Sequence, residues 1–415
     1  MKYWLYCLSL LFVRTGLAEQ NVELLHWWTA KGEKAALAVI EETLNASSIT
    51  VNSEPIAGGG GIPAKTILQA RAIAGTPPDM ALMEGPAIQA WAALGFLASV
   101  DEVADHYQWD ENLYPEIKAI HKYQGSYVAI PTNIHRLNWM WINRDVLFKH
   151  QLAIPHDWDS LIKLLMTLKA KGVSPLALGD EPWQIVQLFE NIAFSVGGPD
   201  YYRQAFIQLD PSALNSPLTV ESLARFRTIA DLVGDNLPNM SWDQGTLRLI
   251  EGKYAIQLTG DWALGEMLTH NNEIPEHIEC TPFPSTHGGY IYNIDSLVFF
   301  RTQANDSDQF HHLSAPLAST QFMTEFNQKK GSIPAYKNVA IEGFSRCQKQ
   351  SYVDYNQAVA NNTAMPSLSD SMALDPVIQR AVSSELYRYF SDPTRHHEVL
   401  IGHLIAIGSG SVDLR

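Results

Sequence analysis

Short apolar runs alternate with helical patterns along the N-terminal part of the chain. "NVELLHWWT" and "SITVNSEPIA" have the composition of strands, and "PDMALM" is a short apolar strand. Between and after these runs, "KAALAVIEETLN", "PAKTILQARAIAG" and "AIQAWAALGF" carry apolar residues at the spacing of amphipathic helices. Strands and helices that follow one another in this way predict an open α/β sheet.

Helical patterns dominate the middle of the chain, and strand-like runs return only late. The helices are predicted from "DSLIKLLMTLKAK", "IVQLFENIAFSVGG", "SLARFRTIADLV" and "TLRLIEGK", and the late strands from "YAIQLTG" and "SLVFF". Two further helical patterns, "DPVIQRAVSSELYRYF" and "HHEVLIGHLIAIG", end the chain. Because strands return late, we expect two lobes between which the chain crosses more than once. In such folds ligands bind in a crevice at the carboxyl ends of the strands.

Length and composition agree with two lobes. The chain has 415 residues, of which 46% are hydrophobic and 18% are charged. This length exceeds what one small core usually organises, and the composition is that of an ordinary globular protein rather than a disordered one.

The first eighteen residues, "MKYWLYCLSLLFVRTGLA", have the order of a secretory signal peptide. Lys2 supplies the positive start, residues 3–13 form the apolar core, and residues 16–18 are small enough for a cleavage site. The alternative, a buried N-terminal helix, does not explain this order. Cys7 lies inside the apolar run, so we interpret it as part of the signal and not as a lipid attachment point. A periplasmic location follows.

Charge narrows the class of partner. Removal of Lys2 and Arg14 with the signal takes the formal net charge from −15 to −17. So acidic a chain is not expected to bind nucleic acid, and it slightly favours neutral or cationic ligands. No later run approaches the roughly 20 apolar residues that a membrane-spanning helix needs.

Two cysteines, Cys280 and Cys347, remain after the signal. In an oxidising compartment such a pair favours one disulfide, and the alternative is two buried thiols. Their number and spacing do not indicate a metal site.

Two motifs suggest chemistry that the residues do not support. "GGGGIPAKT" lacks the glycine before Lys-Thr that a phosphate loop needs, so we interpret the glycines as a loop that permits close backbone approach. "HHEVLIGH" has Ile401 where a zinc-binding helix needs its second histidine, so we expect histidines on a helix surface and no metal. No serine, cysteine or histidine has the setting of a catalytic nucleophile.

Tryptophans give the most informative pattern. The chain has eleven, and several stand beside polar residues at the ends of predicted strands: Trp27-Trp28, "NIHRLNWMW", "EPWQ" and "LTGDW". Neighbouring side chains of a strand point to opposite faces, so Trp27 and Trp28 are not both expected in one core. Indole faces suit the C–H face of a pyranose, and carboxylates such as Glu33, Asp261 and Asp295 accept its hydroxyls. Each ring alone is more often core, but together they favour a saccharide cleft.

Seven segments together resemble the carbohydrate-binding proteins of ABC importers. They are "HWWTAKGEKAAL", "GGGGIPAKTILQARAIAGTPPDMALMEGPAIQAWA", "IPTNIHRLNWMWIN", "EPWQIVQLFENIAFSVGG", "GKYAIQLTGDW", "IDSLVFF" and "KKGSIPAYKN". The similarity follows the same order through nearly the whole mature chain. It is strongest to the periplasmic glucose/mannose-type binders of extracellular solute-binding protein family 1.

The resemblance implies an α/β fold of the two-lobed periplasmic-binding-protein type II, with the lobes joined by hinge crossovers. We predict an N-terminal lobe of residues 19–131 and 295–334, and a helix-richer C-terminal lobe of residues 132–294 and 335–415. The family has no catalytic activity and no cofactor. A monomer would close on a sugar and deliver it to the membrane permease. The implied contacts are Trp27, Trp28, Glu33, Trp183, Trp262, Asp295 and Lys330.

Two residues depart from the pattern of glucose binders and add two candidate contacts. Glu84 stands in "MEGP" where a lysine is expected, and Asp370 stands in "PSLSD" where a histidine is expected. A carboxylate only accepts hydrogen bonds and favours a cation. The two changes therefore raise the alternative of a cationic amino sugar, glucosamine or a chitosan fragment. The alternatives are that sugar hydroxyls pair with these carboxylates or that both side chains face solvent.

A secreted glycoside hydrolase is a further alternative, since it also needs carboxyl pairs in a cleft.

Overall fold

The computed structural model describes residues 20–58, 61–234, 237–271, 273–286, 288–301 and 307–412. The segment interpreted as a signal peptide, residues 1–18, lies outside the described residues, and so do Gly59 and Gly60 of the glycine run.

The strands of the described residues are short and spread over the whole chain. They are β1 (Gln20–His26), β2 (Ile49–Pro55), β3 (Met80–Met83), β4 (Lys122–Tyr123), β5 (Ser126–Tyr127), β6 (Ile130–Pro131), β7 (His135–Arg136), β8 (Trp139–Asn143), β9 (Ser174–Ala177), β10 (Tyr254–Leu258), β11 (Ile278–Pro282), β12 (Tyr290–Asn293), β13 (Ser296–Phe299) and β14 (Ala364–Pro366).

Helices fill most of the remaining described chain. They are α1 (Lys31–Asn45), α2 (Ile62–Ile73), α3 (Pro86–Ala93), α4 (Asp101–His106), α5 (Trp109–Asn112), α6 (Pro115–His121), α7 (Arg144–Lys149), α8 (Trp158–Ala170), α9 (Pro182–Tyr202), α10 (Pro211–Leu214), α11 (Pro217–Val233), α12 (Trp242–Ile250), α13 (Trp262–Asn271), α14 (Ser307–Ser314), α15 (Thr320–Lys330), α16 (Arg346–Ala360), α17 (Pro376–Ser391) and α18 (His397–Val412). A π-helical turn (Arg203–Ile207) follows α9, and a 3₁₀ turn (Pro316–Ala318) precedes α15.

Local sequence explains where these helices begin. Asp157 caps α8 because its carboxylate accepts from the Ser160 backbone N–H at 2.8 Å, while the Ser160 hydroxyl faces back to the cap. Leucines at three- and four-residue intervals then bury one face of α8, as the amphipathic pattern predicts.

Two sheets organise the molecule. The first has the order β2-β1-β3-β13-β6, with β1 parallel to β2 and β3 and with β13 antiparallel to β3 and β6. The second has the order β11-β8-β10-β9. Strand β13 follows the strands of the second sheet in sequence but pairs within the first sheet, so the chain crosses back to the first sheet after it has formed the second. A smaller sheet has the order β14-β12-β7.

Each large sheet has its own hydrophobic core. Leu24, Ile40, Leu82, Leu297 and Phe322 belong to the core of the first sheet. Helices α8, α9, α11 and α17 share one core with the second sheet, and their side chains in it include Leu165, Phe189, Phe226 and Leu386. Two cores of this size agree with the prediction of two lobes from chain length.

The packing divides the chain differently from the predicted lobe boundary after residue 334. Tyr336, Tyr355 and Ala358 pack in the core of the first sheet, whereas Leu368, Val382 and Leu404 pack in the core of the second. The last segment therefore begins against the first lobe and ends in the second. The remaining lobe boundaries stay a prediction.

A disulfide joins Cys280 on β11 to Cys347 in the first turn of α16, with a Cα–Cα distance of 6.1 Å. This is the pair expected from the sequence, and the alternative of two thiols is wrong.

Among the described residues, no helix combines the length and apolar character that crossing a membrane requires. The same part of the chain contains no group of three or more histidine, cysteine or acidic side chains placed to hold a metal ion.

Candidate functional site

A cavity of about 240 Å³ opens between the two large sheets, where several strands end. Most of its residues lie after β1 and β3, on β12 and before β13, and at the first turns of α1, α9, α12 and α13. Gly58 after β2, His135 on β7, Lys330 at the end of α15 and Asp370 after β14 complete the lining. All nine side chains that the sequence singles out for ligand contact line it, namely Trp27, Trp28, Glu33, Glu84, Trp183, Trp262, Asp295, Lys330 and Asp370. The contact of these residues with a ligand stays a prediction.

Eight further residues line the cavity, and none of them is among the ligand contacts predicted from the sequence. They are Thr29, Gly58, His135, Glu181, Ser241, Trp242, Asp243 and Asn293. A signal existed for two of them, because His135 lies within "NIHRLNWMW" and Glu181 within "EPWQ", both noted for their tryptophans. Trp242 opens a helix after a polar segment, and no strand pattern precedes it.

The paired tryptophans occupy different environments. Trp28 is 1% exposed and packs against Phe326 at a ring distance of 5.9 Å, with the Lys330 ammonium 4.3 Å from its ring. His26 fixes the turn because its Nδ1 accepts from the Trp28 backbone N–H at 3.1 Å. Burial, and secondarily the charge of Lys330, lowers the pKa of His26 to about 4, so this ring stays neutral and able to accept.

Trp27 is only partly buried, and its ring lies against the backbone of the glycine loop. A Cβ atom on Gly61 would lie 2.6 Å from that ring, and Gly61 has a φ of +68°. The position therefore needs glycine for both space and backbone conformation. Close backbone approach, the role inferred for the glycine run, is confirmed at Gly61.

Trp262 stands at the centre of an aromatic group. Its ring makes edge contacts with Trp183 at 6.0 Å, Trp242 at 6.4 Å and His135 at 5.3 Å. Its indole N–H donates to the Thr259 hydroxyl at 3.1 Å, which fixes the ring plane. Gly260 leaves room for the ring, since a Cβ there would lie 2.4 Å from it. The indole is thus held rigidly before any ligand enters.

A chain of alternating charges lies behind the aromatic group. The Lys330 ammonium is 3.5 Å from the Asp295 carboxylate, which also contacts His135 Nε2 at 3.3 Å and accepts from the Asn133 amide at 3.0 Å. His135 Nδ1 donates to Asp261 on its other side. All four charged side chains are buried. Such a network holds its members in one arrangement, because each buried charge keeps a partner.

The two carboxylates decide the protonation of His135. Burial acts to lower its pKa, but the charges of Asp261 and Asp295 and the hydrogen bonds to them outweigh this effect and raise the pKa to about 9. Asp295 responds in the opposite direction. Burial would raise the pKa of its carboxyl, but Lys330 and His135 hold that pKa below its usual range.

We expect the stability of the protein to fall as the pH rises from 6 to 9.5. The pKa of His135 is raised in the folded state, so its contribution is fully present below its ordinary pKa of 6.5 and is lost through about 9. The free energy of unfolding should decrease by up to about 3 kcal/mol over this range. Urea unfolding at successive pH values measures it. His135→Asn should flatten the dependence, and His156→Gln, at an exposed histidine, should not. An unchanged free energy of unfolding from pH 6 to 9.5 would contradict the assignment.

Glu84 and Asp370 meet at one end of the cavity. Glu84 is already paired, because the Lys65 ammonium lies 2.8 Å from its Oε2. For the Asp370 carboxylate the described part of the chain shows no hydrogen-bond donor or ion-pair partner. Burial, followed by the charges of Glu84 and Glu190, raises the pKa of Asp370 well above its ordinary value. The loop that carries Asp370 is fixed to Glu190, whose Oε2 accepts from the Leu368 backbone N–H at 2.7 Å.

Residues 28–306 match the family model described as "Bacterial extracellular solute-binding protein". The chain is 35% identical over 389 residues to a Brucella melitensis protein named "Probable sugar-binding periplasmic protein", and the match covers 94% of this chain and 92% of that one.

Two solved structures share the fold. The bacterial solute receptor AcbH, described as having an exclusive preference for β-D-galactopyranose, matches with a TM-score of 0.79 at 15% identity, covering 95% of this chain and 99% of that one. A chitin oligosaccharide binding protein matches with a TM-score of 0.78 at 17% identity, covering 94% and 98%. The predicted two-lobed periplasmic-binding-protein fold is confirmed.

Proposed function

The chain belongs to the bacterial extracellular solute-binding proteins, and from this membership we propose that it is the periplasmic sugar-binding component of an ABC importer. It binds a mono- or short oligosaccharide built on a glucose-like hexose, and it delivers that sugar to the transmembrane subunits of a permease. It acts as a monomer and without nucleic acid. Its family consists of binding proteins and not of enzymes, so the hydrolase alternative is set aside.

One observation carries the proposal. Indole rings from both sides of the cleft, Trp27 from the first lobe and Trp183, Trp242 and Trp262 from the second, line one cavity together with carboxylates and the amide of Asn293. Aromatic faces stack on the C–H faces of a pyranose and supply affinity, while the polar groups select hydroxyl positions.

Binding is expected to select the closed form of the two lobes. A sugar that touches Trp27 on one side and Trp262 on the other gains both contacts only when the lobes approach. The open form would expose the cavity to solvent and admit the ligand, and the permease would recognise the closed form.

Isothermal titration calorimetry with the mature chain tests the proposal. Glucose, mannose, galactose, glucosamine and short gluco- and chito-oligosaccharides form the panel. We expect saturable binding of at least one member, with dissociation constants that differ between epimers because polar groups read the hydroxyls. An absence of heat with every member would overturn the proposal.

A cationic amino sugar is the second candidate, and Asp370 is the observation that favours it. Six carboxyl side chains line the described cavity wall, namely those of Glu33, Glu84, Glu181, Asp243, Asp295 and Asp370, against the cations Lys330 and His135. Lys65 supplies Glu84 with the ammonium group that the sequence pattern lacked at "MEGP", so Glu84 itself no longer argues for a cationic ligand. Asp370 forms no ion pair among the described residues, and burial together with the charges of Glu84 and Glu190 outweighs the charge of Lys65 and raises its pKa, so a ligand ammonium would stabilise its ionised form.

For this second candidate, Asp370→Asn should weaken glucosamine binding by about 10-fold, because a charge-assisted hydrogen bond is lost. Glucose binding should stay within about 3-fold, since an amide still pairs with a hydroxyl. Calorimetry with both sugars on both proteins measures the difference. Tight glucose binding by the natural chain, with no response to glucosamine, would rule out the amino sugar.

A further inference from the structure

A second cavity of about 120 Å³ adjoins the first between the lobes. Leu68 on α2 and Ala87 and Trp91 on α3 line it from the first lobe, and Pro376 on α17 lines it from the second. Glu84 and Trp183 line both cavities, so the two spaces meet at these side chains.

Lys65 stands where the two cavities meet. Its side chain lines the second cavity, while its ammonium group lies 2.8 Å from Glu84 Oε2 and 5.2 Å from the centre of the Trp27 ring. The same ammonium lies 3.3 Å from the Ser371 hydroxyl, in the loop between β14 and α17. A ligand that fills the first cavity and continues past Lys65 enters the second without leaving the cleft.

The walls of the two cavities differ in chemistry. Acidic side chains dominate the polar lining of the first, whereas much of the second wall is apolar, with contributions from Ile62, Leu68, Leu82, Met83, Trp91 and Pro182. Ile62 is 53% exposed at the rim of this space. Apolar surface that faces solvent gains free energy when an apolar group covers it.

Several polar groups of the second wall are already engaged. The Ser369 hydroxyl donates to Glu190 at 2.8 Å, the Ser371 hydroxyl accepts from Lys65, and the Ser383 hydroxyl accepts from the Gln379 amide at 3.1 Å. Gln69, Arg380 and Gln379 also line this wall, and Gln379 Oε1 has no hydrogen-bond partner among the described residues. A second sugar ring would need partners for several hydroxyls, and burying any of them without one is costly. An apolar group has no such need.

We propose that the second cavity binds the apolar aglycone of a glycoside whose sugar ring occupies the first cavity. The ligand class is then an aryl or alkyl glycoside rather than a free hexose. This inference rests on the proposed function, because it places a sugar in the first cavity.

Calorimetry with methyl and phenyl glycosides of glucose and glucosamine, in both anomers, tests the inference on the mature chain. The phenyl glycoside of the bound sugar should bind about 10-fold more tightly than its methyl glycoside, because its ring removes apolar surface from water. Ala87→Phe fills the second cavity from α3 and should abolish this advantage while methyl glycoside binding stays within about 2-fold.

Ala90→Phe is the matched control. Ala90 is exposed on the same helix and lies outside both sets of lining residues, so this variant should keep the phenyl advantage. Pro376→Asp places a carboxylate on the wall that the second lobe contributes. It should also reduce the affinity advantage of the phenyl glycoside over the methyl glycoside. It serves as the second variant if Ala87→Phe does not fold.

Each remaining outcome overturns a defined statement. Equal affinity for methyl and phenyl glycosides, or a phenyl advantage that survives both wall variants, overturns the aglycone site and leaves the proposed function standing. A disaccharide that gains as much as the phenyl glycoside and loses it in Ala87→Phe makes the second cavity a sugar subsite instead. No binding of any glycoside overturns the proposed function together with this inference.

Discussion

Trp262→Ala should lower the affinity for the sugar by about 100-fold, equivalent to about 2.7 kcal/mol. The indole is 8% exposed, held by Thr259 and surrounded by Trp183 and Trp242, so it presents a fixed apolar face to the cavity at no further ordering cost. Alanine removes that face and leaves a gap that water fills. Calorimetry or quenching of tryptophan fluorescence, with the strongest ligand of the panel, measures the loss.

Trp158→Ala is the matched control for this experiment. Trp158 is also partly buried against the core of the second sheet, where its ring stacks under the Arg225 guanidinium at 5.0 Å, but it lies outside the cavity lining. Its replacement should reduce stability and leave the dissociation constant within about 2-fold. Equal affinity of the Trp262→Ala variant and the natural chain, with circular dichroism unchanged, would show that this ring does not hold the ligand.

The strongly periodic segments were predictable from sequence, because local pattern and tertiary packing agree there. "KAALAVIEETLN" lies within α1, "SLARFRTIADLV" lies within α11, and "YAIQLTG" begins with the whole of β10. For strand β8, "WMWIN", the sequence predicts only that "NIHRLNWMW" lies at the end of a strand and does not give the bounds of that strand. Its five residues are all buried, and a short apolar run without alternation does not distinguish a buried strand from a buried helix.

The site was predictable where a residue type carries its own signal. Tryptophan beside polar residues is unusual enough to mark Trp27, Trp183 and Trp262 without a structure. For His135 only its place within "NIHRLNWMW" is a signal, and its role is not predictable because it arises from Asp261 and Asp295, which are 126 and 160 positions away in the chain. Only the fold brings these charges to both sides of one imidazole ring.

Lys65 shows the same limit at a single contact. The sequence places a glutamate in "MEGP" where a lysine was expected, and this change indicated a cationic ligand. The structure supplies the ammonium group from α2, 19 positions earlier, at 2.8 Å from Glu84. Considered alone, the glutamate at position 84 reverses the charge expected there. In the fold, Lys65 on α2 brings an ammonium group back to the same place. The charge of Lys65 also acts on Asp370, but burial and the charges of Glu84 and Glu190 outweigh it there, so the pKa of Asp370 stays raised.

Removal of the disulfide should cost stability without changing sugar affinity. The Cys280–Cys347 bond closes a loop across 67 positions, and cross-links of this span contribute about 2–4 kcal/mol, mainly by restricting the unfolded chain. Cys347 lies in the first turn of α16 beside the second sheet, while Tyr355 and Ala358 further along α16 pack in the core of the first. The bond thus fixes α16, a helix that contacts both cores, to the second lobe.

The double variant Cys280→Ala and Cys347→Ala should lower the free energy of unfolding by about 2–4 kcal/mol in guanidinium titrations. The natural chain in dithiothreitol should show the same loss, which separates the bond from the effect of the substitutions. Neither cysteine lines the sugar cavity, so the dissociation constant at room temperature should stay within about 2-fold. If reduction left the unfolding curve unchanged, the bond would not restrict the unfolded chain. If reduction weakened sugar binding strongly, the anchoring of α16 would control closure of the lobes.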